Sequence, residues 1–130
     1  MARRPRDVTD AQLDVLRVLW EEGPATIRAL ADRLYPRGGV AEYATVQKLL
    51  ERLAEKGWVA RRDGGRPHVY EARHGREQLL AQRLSRTAEE LCDGSLTPLI
   101  THLLEARELS SEELQELRRL VDRLSREARR

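Results

Sequence analysis

One segment, WVARRDGGRPHVYEA at Trp58–Ala72, reads as a β-hairpin in a chain whose other segments carry the period of α-helices. Its two β-prone runs, Trp58–Arg62 and His68–Ala72, flank Asp63-Gly64-Gly65, residue types that accept the backbone angles of a tight turn. Pro67 has no N–H to give to a ladder, which predicts that at least one strand is an edge. An isolated hairpin is marginal in water, so the segments before it decide what it packs on.

Those segments are three helices with legible ends. In VTDAQL, Thr9 and Gln12 have capping-box spacing, and Val8 with Leu13 forms the flanking hydrophobic staple. This predicts a helix from Asp10 to about Trp20 with Leu13, Val15, Leu16 and Leu19 inward, ended by Gly23-Pro24. Thr26 caps a second helix, Ile27 to about Tyr35, with Ile27, Leu30, Ala31 and Leu34 on one face; Pro36 stops it and PRGGV is a loop. EYATVQKLLERLAEKGW, Glu42–Trp58, is the third, with Val46, Leu49, Leu50 and Leu53 on one face and Gly57 as the left-handed C-cap. Three helices and a hairpin within about 65 residues is the order of a winged helix-turn-helix. The predicted architecture is mainly α with a small β-hairpin wing, the winged domain occupying residues 1–73.

Residues 74–130 read as a helical dimerisation domain. Gly75–Cys92 places Leu80, Leu84, Thr87 and Leu91 on one stripe with Leu79 beside it, and Gly94 ends the run. Thr97-Pro98 reads as an N-cap followed by proline. Ser110 and Glu113 form another capping box, with Leu109 and Leu114 as its staple. The last two helices bring Leu99, Ile100, Leu103, Leu104, Leu114, Leu117, Val121 and Leu124, more apolar surface than a tail can leave wet. A second copy of the chain is the economical cover.

Charge points the same way. Residues 1–74 hold 12 Arg and 2 Lys against 11 acids, a net +3; residues 75–130 hold 10 Arg against 11 acids, a net −1. Lys48 and Lys56 are the only lysines among the 24 basic residues; arginine suits phosphate, but a GC-rich genome gives the same bias. Cys92 stands alone, and His68, His74 and His102 lack metal-ligand spacing, so neither a disulfide framework nor a metal site is expected. Trp20 and Trp58 end helices beside apolar neighbours and read as packing residues. No paired catalytic carboxylates, phosphate loop or nucleophile–base set stands out, which predicts a protein that is not an enzyme and has no cofactor. MARRPRDV has no apolar core of a signal peptide, and no run approaches the roughly 20 apolar residues of a membrane span. The expectation is a soluble, cytoplasmic protein without membrane insertion.

If the apolar face of the third helix docks on the first two, Tyr43, Thr45, Gln47, Lys48 and Arg52 face outward. Thr, Gln and Lys at the start of a groove-entering helix can meet base edges, and Arg52 would lie nearer the phosphates. Arg61, Arg62, Arg66 and His68 make a basic wing, and Arg28 is a further phosphate ligand. Glu42 could accept from cytosine or repel the backbone. Winged helices also serve as protein-interaction modules, and Glu51 and Glu55 weaken the positive potential of this face. An adaptor that does not bind DNA is therefore the alternative reading.

Four stretches in this order resemble the penicillinase and methicillin-resistance repressor family (BlaI/MecI type): TDAQLDVLRVLW at Thr9–Trp20, YATVQKLLERLAEKG at Tyr43–Gly57, GRPHVYEA at Gly65–Ala72, and a helical tail from near Gly75. The resemblance implies a homodimeric transcriptional repressor on a palindromic double-stranded DNA operator, relieved through a membrane sensor peptidase. It makes the helix from Tyr43 the recognition helix, with Thr45 matching a common family threonine and Arg66 and Tyr70 matching wing residues. Some members are cleaved at an Asn-Phe bond in the short dimerisation helix. Thr101-His102 stands there in ITHLLE, marking the candidate cleavage region without that residue pair. Copper-responsive relatives end in clustered cysteines, whereas this chain ends SREARR.

Overall fold

A computed structural model describes residues 4–62 and 64–129. In chain order the elements are α1 (Asp10–Glu22), β1 (Ala25–Thr26), α2 (Ile27–Leu34), α3 (Val40–Lys56), β2 (Val59–Arg61), β3 (Val69–Ala72), α4 (Arg76–Leu91), α5 (Thr97–Ala106) and α6 (Ser111–Ala128). They fall into two compact units, one ending at Leu84 and one beginning at Ser85.

In the first unit the expected capping holds the helices. Thr9 accepts from the Gln12 N–H and the Gln12 side chain accepts from the Thr9 N–H, closing the box on α1, which runs one half-turn past the predicted end to Glu22. Gly23 then returns its N–H to the Leu19 carbonyl. Gln12 is buried, and its Oε1 also accepts from Lys56 Nζ at 2.7 Å, so a buried amide is satisfied from the far end of α3. Val46, Leu50 and Leu53 of α3 are fully buried against Val15, Leu16, Val18 and Leu19 of α1 and Ile27, Leu30 and Ala31 of α2. Leu13, Leu34 and Leu49 are only partly buried at the rim of this core.

At Gly57 the chain takes φ 93° and ψ 12°, the left-handed conformation that costs a Cβ-bearing residue most, and its N–H reaches the Leu53 and Ala54 carbonyls. That turn delivers Trp58 into the core at 0% exposure, with its Nε1–H donating to the Arg6 carbonyl at 2.6 Å. Trp20 is half-buried, donates to the His74 carbonyl and carries the Arg76 guanidinium 5.7 Å over its ring. The arm before α1 is fastened as well: the Arg6 N–H donates to the Lys56 carbonyl, Gln82 to the Pro5 carbonyl, and Arg83 to Asp7 and the Val8 carbonyl.

The hairpin belongs to a three-stranded antiparallel sheet of order β1-β3-β2. Ala25–Thr26 was not readable as a strand; two residues become one only because Thr26 and Ala25 pair with Val69 and Tyr70 of β3. Pro67 lies ahead of β3, so the central strand keeps all its donors and the edges are β1 and β2. In the turn, Gly64 and Gly65 have φ 89° and 73°, and Asp63 lies outside the described residues.

In the second unit, α6 opens on the predicted Ser110–Glu113 box. The start of α5 corrects the expectation. Thr97 is its first helical residue rather than its cap, Leu96 stands at the N-cap, and Ser95 Oγ accepts from the Thr97 N–H. The serine thus satisfies the first N–H of the helix, and the Ile100 N–H goes to the Leu96 carbonyl. Neither α5 nor α6 contains a buried residue.

Candidate nucleic-acid interface

With about 100° between successive residues of a helix, Thr45, Lys48 and Arg52 recur at spacings of 3 and 4, opposite the buried Val46, Leu50 and Leu53. All three are exposed. Thr45 Oγ1 donates to the Ala41 carbonyl at 3.0 Å, so its hydroxyl proton is committed to the helix and it presents lone pairs and a methyl group outward. Those can accept from a base amino group or meet a thymine methyl. Lys48 and Arg52 carry the positive charge of the stripe, and Glu51 and Glu55 are exposed on the same helix.

Tyr43 and Gln47 are also exposed on α3. Tyr43 lines a cleft of about 610 Å³ whose other walls include Thr26 of β1, Arg28 and Asp32 of α2, and Arg66, Pro67 and His68 of the wing. Four residues nominated from sequence, Arg28, Tyr43, Arg66 and His68, thus share one cleft although 40 residues separate the first from the last. The candidate surface therefore has two parts: a basic stripe along α3 and a cleft between α2, α3 and the wing.

The wing arginines are not alike. Arg62 Nε is 2.8 Å from Glu71 Oε2 on β3, an ion pair that ties it to the sheet. Arg61 and Arg66 are exposed and have no ion-pair partner among the described residues. Tyr70, matched to the wing by resemblance, is buried opposite both Ala25 and Arg61 and serves the core.

Glu42 is the residue whose place the sequence left open. Helix α3 begins two residues earlier than expected, at Val40 with Gly39 as N-cap, which makes Glu42 the third helical residue. The Gly39 N–H donates to Glu42 Oε2 at 2.7 Å, and this bond, followed by one from Glu42's own N–H, holds the carboxyl below its ordinary pKa. Glycine has no side chain to complete the reciprocal bond, so this is half a capping box. The spacing Gly39-x-x-Glu42 was the signal that could have found it.

The remaining candidates are placed as follows. Ile100, Leu103, Leu104, Leu114, Leu117, Val121 and Leu124 are between 39 and 59% exposed, and Leu99 is half-buried. Thr101 and His102 are exposed on α5. Cys92 is half-buried just beyond the end of α4. Among the described residues no cluster of His, Cys, Asp or Glu has the geometry to hold a metal, and no helix is long and apolar enough to cross a membrane.

The family model described as penicillinase repressor matches residues 8–123. Over 117 residues the chain is 32% identical to the transcriptional regulator BlaI of Mycobacterium tuberculosis, covering 88% of this chain and 83% of that protein. It is 24% identical over 115 residues to the penicillinase repressor of Bacillus licheniformis, covering 88% of this chain and 89% of the relative. A solved MarR family regulator from Neisseria meningitidis aligns with 94% of this chain and 77% of its own at 16% identity and a TM-score of 0.42.

Proposed function

We propose that this chain, which belongs to the penicillinase repressor family, is a cytoplasmic, dimeric transcriptional repressor that occupies a palindromic operator. The observation that carries the reading is the exposed stripe Thr45–Lys48–Arg52 beside a cleft walled by Arg28, Tyr43, Arg66 and His68. The stripe enters the major groove, with Thr45, Gln47 and Lys48 at base edges and Arg52 toward the backbone. Arg28, Arg66 and His68 of the cleft, with Arg61, take phosphates on the flank, which fixes the register but reads no sequence. Residues 1–73 form the DNA-binding domain in this account and residues 74–130 the dimerisation domain.

Dimerisation is supported by the surface that α5 and α6 leave uncovered. Covering one such leucine is worth roughly 1.5–3 kcal/mol when its burial is complete, and Leu103, Leu104, Leu114, Leu117 and Leu124 are all exposed. A two-fold dimer presents two copies of α3 to half-sites about one helical turn of DNA apart. Repression follows from occupying a promoter, and relief comes from a protease-linked signal through a membrane sensor peptidase acting on the region of Thr101 and His102.

A gel shift of the full chain against its own upstream DNA, at near-physiological salt and with a scrambled duplex as competitor, tests the reading. A shift that only unlabelled upstream DNA displaces is expected. No sequence-specific shift at micromolar protein would favour an adaptor that uses the winged domain without DNA.

A further inference from the structure

We infer that Glu42 is a specificity-determining residue: its carboxylate fills the anion seat at the amino end of α3, so a DNA phosphate cannot dock there and the helix is left to the base edges. The inference rests on the reading of α3 as the helix that enters the groove.

The first turn of any helix leaves N–H groups without intrahelical partners, and with the helix dipole they attract anions, phosphate among them. On DNA such an attraction is sequence-blind, since every nucleotide offers the same phosphate. A recognition helix with a free amino end is therefore drawn to any backbone. In this chain a carboxylate already sits at that end: Glu42 Oε2 accepts from the N-cap Gly39 N–H at 2.7 Å, and the carboxyl also accepts from the Glu42 N–H. Like any glutamate it is an anion at neutral pH, and these hydrogen bonds lower its pKa further.

The surrounding loop holds that carboxylate in place. The Gly38 N–H donates to the Tyr35 carbonyl at 2.8 Å, which fixes a turn directly over the Glu42 stem. A Cβ added at Gly38 would come within 2.7 Å of Glu42 Cβ and 2.5 Å of Cγ. Only a residue without a side chain lets the loop pass this closely. The pocket of about 340 Å³ that Glu42 lines also holds Arg28 and Asp32 of α2. Arg28 is exposed there with no ion-pair partner among the described residues, and two carboxylates, those of Glu42 and Asp32, line the same pocket.

Three variants of the full chain separate this role from net charge. Glu42→Gln keeps a hydrogen-bond acceptor for Gly39 and removes the charge. Gly38→Ala keeps the charge and displaces it from the seat. Glu55→Gln removes an equal charge from the exposed far end of the same helix. Each is titrated with a duplex of the chain's upstream region and with a scrambled duplex of equal length, over a salt series, after circular dichroism confirms the fold. Glu42→Gln is expected to add up to about 0.9 to the salt slope on scrambled DNA, one phosphate's worth, equivalent to about 3.5-fold between 50 and 200 mM salt. The upstream duplex gains less, so selectivity falls, and Gly38→Ala lowers it in the same direction at unchanged net charge. Equal behaviour of Glu42→Gln and Glu55→Gln, or an equal gain on both duplexes, would overturn the role of Glu42 and leave the DNA-binding reading standing. A wild type that does not prefer its upstream duplex would overturn that reading and this inference with it.

Discussion

Arg62 and Arg66 sit four residues apart on either side of one turn and carry the same charge, yet DNA should feel them differently. Arg62 is held at 2.8 Å by Glu71, both side chains being about half exposed, whereas Arg66 has no acidic partner among the described residues. Each cation that neutralises one phosphate adds about 0.9 to the slope of log affinity against log salt. Arg66→Ala should therefore lower the slope by roughly 0.9. Between 50 and 200 mM salt that variant loses about 3.5-fold less affinity than the wild type does. Arg62→Ala removes a charge that Glu71 already compensates, and should change the slope by much less. Glu71→Gln frees Arg62 and should raise the slope. An exposed pair of this kind is worth about 0–1 kcal/mol to folding, so all three variants remain folded and the comparison is one of binding. Fluorescence anisotropy on the upstream duplex across the salt series reads the slopes directly. Equal slope changes for Arg62→Ala and Arg66→Ala would show that Glu71 does not shield Arg62 from DNA.

Three further outcomes are expected. Gly57→Ala forces a Cβ into a left-handed position at φ 93° while meeting nothing nearer than Pro5 at 3.7 Å, so it should cost about 1 kcal/mol of backbone strain; a denaturant midpoint that does not move would contradict this. Replacing both Leu117 and Val121, which are 39 and 59% exposed, with alanine should shift the chain toward monomer in sedimentation at micromolar protein; an unchanged mass would remove α6 from the dimer interface. Because the pKa of Glu42 is lower folded than unfolded, its cap contributes fully above the ordinary carboxylate range and is lost as pH falls through the depressed folded value. Hydrogen exchange at the Gly39 amide should therefore speed up on acidification through that window, relative to its intrinsic rate, in the wild type and not in Glu42→Gln.

The sequence made most of the winged unit legible because its helix ends are written in local chemistry. Thr9 with Gln12, Thr26 and Gly57, and in the second unit Ser110 with Glu113, each act within a turn of where they stand, so spacing alone finds them. What stayed hidden depends on partners far along the chain. Ala25–Thr26 is a strand only through β3, Gln12 is buried only because Lys56 reaches it, and Val18 is buried because the core wraps further round α1 than one stripe predicts. The start of α3 was missed because Gly39 caps with its backbone and leaves the side-chain half of the box to Glu42. For the candidate interface, periodicity separated the buried face of α3 from the exposed one. It could not show that Tyr43 turns to the cleft with Arg28, Arg66 and His68 while Thr45, Lys48 and Arg52 form a separate stripe, nor that Glu71 engages Arg62.

If α3 reads DNA through its exposed stripe, the side chains of that stripe carry the discrimination. Thr45 and Lys48 lie at the centre of that stripe, both exposed and with nothing of the core behind them to disturb. Each good base contact is worth about 1–3 kcal/mol of discrimination, and each 1.4 kcal/mol is tenfold in affinity. The most direct measurement is the affinity of a Thr45→Ala/Lys48→Ala double variant for the upstream duplex at near-physiological salt. The account predicts a loss of at least about tenfold with the fold intact, and a smaller loss on scrambled DNA. Unchanged affinity for the upstream duplex would contradict it.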